Sequence, residues 1–283
     1  MHEIKNSRGI KNFNQVASQY DKSRPSYPES LLDNLMEFSD LAPGDEVLEL
    51  GCGSGQLTGQ LLKRGLSVTA IEPGRNLFKI ADTRFQDNDL ARLINADFES
   101  YDFDRVNYKA IFAASSYHWI RPEVSWKKSA ALLCPGGTLA LLQYFGLEED
   151  STKLDLLLQL EAIRRYAPQI AKNWPTYYSL QEIQDYAQLH KDISEIWSWL
   201  GSYELRFKGI NKLFGPTWLD YETSVKEQSA KQIIQLLKTI SAYAVLADKQ
   251  RSELEQGFID IEKQLKRPMR SSLICIAAAS KRL

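Results

Sequence analysis

Between residues 31 and 145 short apolar runs alternate with stretches of helical periodicity, and this alternation narrows the possible folds more than any other feature of the chain. EVLEL (46–50), LSVTAI (66–71), ARLIN (91–95), KAIFAAS (109–115) and GTLALLQYF (137–145) read as buried strands. QLTGQLLKR, RNLFKIADTRF and EVSWKKSAALL lie between them and carry apolar residues at helical spacing. Strands and helices alternating at this interval make βαβ units, and successive units build a parallel sheet. Pro135-Gly136-Gly137 is a sharp turn into the fifth strand.

After residue 150 the pattern changes. Leu154 to Ile163 and Ile183 to Leu200 show helical spacing, separated by the aromatic, turn-prone RRYAPQIAKNWPTYYS. YELRFKGI (203–210) reads as a sixth strand. Ala230, Ile233, Ile234, Leu237, Ile240 and Ala244 share one helical face, as do Leu254, Phe258, Ile261 and Leu265 in the next helix. SSLICIAAAS (271–280) is a final buried strand. The expected architecture is α/β: seven strands, mostly parallel, with helices on both faces and a helical cap formed by C-terminal insertions. The expected divisions are an N-terminal segment (1–30), a core (31–150), a helical and aromatic cap (151–200), and the last strands of the core (201–283) with a helical insertion at 215–268.

Charge and cysteine usage exclude several classes. The formal net charge is −1, with both signs mixed along the chain, so there is no electrostatic footprint for nucleic acid or an anionic membrane. No apolar run is long enough to span a bilayer. Cys52, Cys134 and Cys275 lie far apart, without metal spacing or an even disulfide framework. His2, His118 and His190 are scattered as well, which disfavours a histidine metal site. MHEIKNSRGI lacks the apolar core of a signal peptide, so a reducing cytoplasm is the expectation.

The first strand runs straight into three glycines at alternate positions, in VLELGCGSGQL. Glycine has no Cβ, so it takes positive φ and lets a ligand approach the main chain. The passage from strand to helix also presents unpaired N–H groups. A dinucleotide fold would place its third glycine at 56, where this chain has Gln; Gly51, Gly53 and Gly55 give G-x-G-x-G instead. Glu72 ends the second strand, 21 residues after Gly51, where an acid accepts both hydroxyls of a ribose. Asp97 follows the third strand, placed to receive an adenine amino group, and Glu49 lies inside the first strand before the glycines. Singly, Glu72 and Asp97 also fit an N-cap or a turn. Jointly they favour a site along the carboxyl edge of the sheet.

ELGCGSG, the acid at the second strand end, NADF, SSYHWI and LCPGGTLAL occur in the order found in class I S-adenosylmethionine (SAM)-dependent methyltransferases, which the chain resembles from about 10 to 145. His118-Trp119, the opening FNQVASQYDKSRPSYPESLLDNL and the helix QLLKTISAYAVLADKQRSELEQGF resemble the trans-aconitate methyltransferase-like group of small-molecule enzymes (methyltransferase type 11). The resemblance implies a Rossmann-like core, with SAM as cofactor and S-adenosylhomocysteine as product. It implies that Gly51, Gly53 and Gly55, with Cys52 between them, face the methionine portion and ribose, with Glu49 close by. Glu72 would hold the ribose hydroxyls, Pro73 would pack by the adenine, and Asp97 would bind its amino group between Ala96 and Phe98. Ser115 and Ser116 would lie beside the transferred methyl. Tyr20 and Arg24 would close over the cofactor.

The expected function is methyl transfer by in-line displacement to a small molecule, through a carboxylate or hydroxyl oxygen. His118 is a candidate general base for an acceptor that starts protonated, and equally fits structural packing beside Trp119. Arg24 is either a carboxylate clamp or a surface residue. Tyr166, Trp174, Tyr177 and Tyr178 form either a lid over the acceptor or the cap's own core, and Tyr243 either reaches the pocket with Trp119 or packs internally. The competing readings are a non-enzymatic SAM-binding partner module, a nucleic-acid methyltransferase and an NAD-dependent oxidoreductase. SSYHW lacks the proline pair expected of enzymes that methylate base amino groups, and the charge balance opposes a phosphate groove. The early third glycine opposes NAD.

Overall fold

A computed structural model of the chain describes residues 21, 26–104, 106–171, 176–238, 243 and 245–283. Tyr20, Arg24 and Trp174 lie outside them. Seven strands form one sheet: β1 (Glu46–Leu50), β2 (Ser67–Ile71), β3 (Ala91–Ile94), β4 (Tyr108–Ala114), β5 (Leu133–Gly146), β6 (Trp218–Gln228) and β7 (Met269–Lys281). Their order is β3-β2-β1-β4-β5-β7-β6. The first five pair in parallel, and β7 inserts antiparallel between β5 and β6. The expected mostly parallel seven-stranded sheet is therefore the fold of the protein.

Successive residues of a strand face opposite sides of the sheet. Val47, Val68, Phe112, Leu142 and Ala277 are buried beneath α1 (Glu29–Phe38) and α2 (Gln56–Lys63). Leu48, Ile111, Leu141 and Ile276 are buried on the other face with Trp126 of α4 (Pro122–Leu132). Burial of each such Val, Leu or Ile side chain contributes about 1.5–3 kcal/mol. Between these helices in sequence, α3 (Arg75–Phe85) links β2 to β3.

The C-terminal half departs from the expectation in three ways. Residues 203–210 form no strand; Leu205 is buried, and its carbonyl accepts from Trp126 Nε1 at 2.9 Å, so a side chain rather than a ladder satisfies this backbone. The sixth strand is β6, within the segment expected to be a helical insertion. It is an edge strand, and its polar residues mask the alternation: Leu219 and Tyr221 pack on the Trp126 face, while Asp220 meets Asn34 of α1 at 2.8 Å on the other. The helical span 183–200 is two helices, α6 (Leu180–Leu189) and α7 (Ile193–Gly201). Asp192 separates them by capping α7, accepting from Ser194 N at 2.8 Å and Glu195 N at 3.2 Å.

The expected cap at 151–200 also divides. Residues of α6 and α7 pack against the sheet with Trp126. A separate cluster joins α5 (Lys153–Tyr166), α8 (Ala230–Leu237) and α9 (Asp248–Leu265) around Phe258 and Leu254.

Candidate functional site

β1 connects to β2 on one side, while the chain later resumes at β4 on the other. The crevice outside the carboxyl ends of these strands is where open α/β sheets bind ligands. A cleft of about 410 Å³ lies there, within the range of small-molecule sites.

The glycine loop forms its floor. Gly51 N and Cys52 N donate to the Ile71 carbonyl at 2.8 and 3.2 Å, tying the end of β1 to β2. Gly51 has φ +66°, and a Cβ there would stand 2.6 Å from Ser116 Cβ. Gly55 caps α2 at φ +90°, where a Cβ would meet the Phe85 ring at 2.4 Å. Side chains are thus excluded by both backbone conformation and space.

Two buried carboxylates bracket this loop. Glu72, 7% exposed, accepts from Gly53 N at 2.9 Å and Gly74 N at 2.7 Å, one bond to each oxygen. A carboxylate has about four acceptor positions, so both oxygens retain a lone pair for a ligand. Burial pushes its pKa up, against the pull of these two bonds. Glu49, 1% exposed, accepts from Thr58 Oγ1 at 2.6 Å. Burial raises it to about 7; the Thr58 bond works against the shift and the charge of Glu72 adds to it.

The ends of β3 and β4 complete the wall. Asn95 Nδ2 donates to the Glu72 carbonyl at 2.8 Å, fixing the turn that leads to exposed Asp97 and buried Phe98. Ser115 sits at φ +56°, a conformation that strains a residue with a Cβ. Its N–H donates to the Leu142 carbonyl at 2.8 Å, and Ser116 Oγ donates to the Leu50 carbonyl. The following turn, Tyr117–Trp119, is anchored by Tyr117, which is fully buried edge-on to Trp126. His118 and Trp119 are thereby presented to the cleft, with His118 stacked on Tyr203 at 4.2 Å and 6°.

Of the residues expected at the site, Glu49, Gly51, Cys52, Gly53, Glu72, Pro73, Asp97, Phe98, Ser115, Ser116, His118 and Trp119 line this one cleft. Gly55 lies just behind it as the cap of α2, and Ala96 packs against the core instead of lining it. Three aromatic expectations are corrected. Tyr243 is buried in the α5–α8–α9 cluster, and its hydroxyl donates to Glu255. Tyr177 packs over Gly146 and lines a different cleft beside α5. Tyr178 pairs with Leu147 as an isolated bridge, its ring 4.1 Å from Trp199.

The cleft also takes residues that sequence reasoning missed. Tyr27 lines it, held by Gln60, which accepts from Tyr27 N at 3.0 Å and donates to Tyr27 O at 2.7 Å. Tyr144 stacks on Tyr27 at 5.9 Å. Gln143 Nε2 donates to Tyr203 Oη at 2.6 Å, and Lys226 and Gln228 enter from β6. A polar pair inside the fifth apolar run, Gln143-Tyr144, was the one available signal. Asp21 pairs with Arg84 at 2.9 Å, and Arg84 donates to the Ser54 carbonyl at 2.8 Å, linking the N-terminal segment to the glycine loop. Among the described residues no group of three or more His, Cys, Asp or Glu is placed to hold a metal, and no helix is long and apolar enough to cross a membrane.

Residues 48–141 match the family profile of a methyltransferase domain. An uncharacterized methyltransferase of Mycobacterium tuberculosis is 32% identical over 130 residues, 46% of this chain and 51% of its own length. A ribosomal RNA small subunit methyltransferase A of Mesomycoplasma hyopneumoniae is 35% identical over 88 residues, 31% of this chain and 33% of its own. The chain thus spans about half the length, or less, of these curated relatives. Among solved structures, one from Anaeromyxobacter dehalogenans named for type II methyltransferases superposes with a TM-score of 0.57 at 18% identity, covering 91% of this chain and 97% of that one. That likeness is one of fold.

Proposed function

We propose that this chain, whose residues 48–141 match a methyltransferase domain, is an enzyme moving the methyl of SAM to an oxygen of a small-molecule acceptor. The observation that carries this reading is the joint placement of Gly51, Glu72, Asp97 and Ser115 around one cleft at the switch point of the sheet. In this reading the free lone pairs of Glu72 receive the two ribose hydroxyls. Asp97 receives the adenine amino group, and Phe98 and Pro73 border the ring. The glycine loop lets main chain approach the methionine portion, and buried Glu49 stands behind it with a carboxyl that burial raises to about 7.

When bound, SAM supplies an electrophilic methyl, so the chain needs no covalent nucleophile. Its residues align the partners and exclude water, and orientation of this kind reaches effective molarities of about 10⁵–10⁸ M. His118 stands on the acceptor side with its ring fixed by Tyr203. There it takes the proton of a hydroxyl acceptor; an acceptor that is already a carboxylate needs no base. The trans-aconitate-like grouping rests on the sequence motifs quoted above.

Calorimetric titration with SAM and a transfer assay with labelled methyl test the proposal. The assay panel comprises carboxylic acids, phenols, thiols and ribosomal RNA. We expect SAM binding and transfer to a small acid or phenol. Glu72→Ala should weaken SAM binding by about 1.5–3 kcal/mol, the range of charge-assisted hydrogen bonds. Transfer only to RNA would replace the acceptor, and unchanged SAM affinity in Glu72→Ala would remove the ribose assignment.

A further inference from the structure

The cofactor side of the cleft carries three acids, Glu49, Glu72 and Asp97, while among its described lining residues Lys226 is the one lysine or arginine, on the far side. Lys226 comes from β6. On the same face of that strand, Trp218, Asp220 and Glu222 meet Phe38, Asn34 and Ser30 of α1. α1 begins at Glu29, so the same face at Lys226 and Gln228 extends beyond the helix and opens on the cleft. The Lys226 ammonium lies over the Tyr144 ring, 5.5 Å from its centroid, and meets no carboxylate among the described residues. Tyr144 is itself fixed by Tyr27 and by donating to the Ser26 carbonyl at 2.8 Å. Burial lowers the pKa of Lys226, the mark of an ammonium short of solvation.

A half-buried ammonium held on an aromatic face, with no carboxylate beside it among the described residues and opening on a binding cleft, is a receptor for an anion. Resting on the methyl-transfer reading above, we propose that Lys226, assisted by the amide of Gln228, selects methyl acceptors that carry a carboxylate or phosphate group. The charge pattern supports this. A cationic acceptor would be repelled by Lys226, whereas an anionic one is drawn to the lysine side, away from the acids under the glycine loop. Lys226 is a specificity-determining residue in this account, and the base, where one is needed, remains His118.

The experiment compares wild type with Lys226→Gln in calorimetry and labelled-methyl transfer. The probes are charged and neutral pairs that keep the same hydroxyl acceptor: 4-hydroxybenzoate and 4-hydroxybenzamide, 3-hydroxybenzoate and 3-hydroxybenzamide, 4-hydroxyphenyl phosphate and hydroquinone. We expect wild type to favour the anion of at least one pair. Lys226→Gln should raise KM for that anion about tenfold or more, as loss of a charge-assisted contact does. Its kcat, its SAM affinity and its use of the neutral partner should stay within about twofold. Carboxylate pairs and the phosphate pair distinguish the two anions. Lys226→Arg, which keeps the charge, should retain part of the preference. An anion preference unchanged in Lys226→Gln, a wild-type preference for neutral probes, or SAM binding with neither transfer to nor binding of any anion would each overturn the proposal. Loss of SAM binding in wild type would instead strike the methyltransferase reading itself.

Discussion

The two sides of the cleft are built by opposite means. The side that our reading gives to the cofactor, at the ends of β1, β2 and β3, draws on residues 49–98, most of them at or just after the end of a strand. The side that it gives to the acceptor gathers Tyr27, His118, Gln143, Tyr203 and Lys226 from segments up to 199 residues apart. On the first side main-chain N–H groups and buried carboxylates carry the chemistry; on the second, aromatic rings and one ammonium do. A site for an invariant ligand is thus held by backbone, which tolerates little change. A site for a variable ligand is held by side chains on loops and an edge strand, which change without disturbing the sheet.

Substitutions at the two sides and outside them test that contrast, beginning with the most severe. Gly51→Val should destabilise the fold by about 4 kcal/mol, combining a β-branched residue at positive φ with an overpacked contact to Ser116. It should also abolish SAM binding. Urea denaturation and calorimetry measure both, and near-wild-type values would show that the floor of the cleft is not rigid.

Glu49→Gln sharpens the comparison through pH. Burial raises Glu49 from 4.5 to about 7 in the folded chain. Between those values the folded protein keeps a proton that the unfolded chain has released. Wild-type stability therefore falls as pH rises from about 4.5 to about 7, and Glu49 changes nothing further above that. Removing the titration should stabilise the variant by up to about 3 kcal/mol at pH 8 and by almost nothing at pH 4. Denaturation midpoints at the two pH values decide it; a gap that does not widen with pH refutes the buried charge. Bound SAM places positive charge near Glu49 in our reading, so its affinity should rise with pH through the same window.

Tyr243→Phe, outside both sides, should have the smallest effect. It removes the hydroxyl that donates to Glu255 and costs about 1 kcal/mol of stability. KM and kcat should be unchanged, and a fall in turnover would restore Tyr243 to the acceptor pocket.

The legibility of the chain follows the same division. β1, β2, β4 and β5 are legible because an apolar run between turn residues records burial locally; β3 is a strand as expected but not a buried one, since it lies at the sheet edge with Ala91, Leu93 and Ile94 only partly covered and Arg92 exposed. Residues 203–210 mimic a strand because Leu205 and Phe207 are apolar, in a loop that docks on Trp126. β6 hides because an edge strand facing Asn34 and Ser30 has polar residues where a central strand has apolar ones. Glu49 and Glu72 announced themselves beside the glycines. Lys226 could not, because nothing near it in sequence says that α1 stops short of it.

By itself the sequence determined the alternation of strand and helix, the bare turn at 51–55 and the acids at the strand ends, because each depends on neighbours along the chain. Only the tertiary structure decided that β7 runs between β5 and β6, that Tyr243 belongs to a separate cluster, and that Lys226 faces the cleft across from Glu49. Those outcomes depend on which distant surfaces meet: a local pattern records that a residue is buried, not which remote segment covers it.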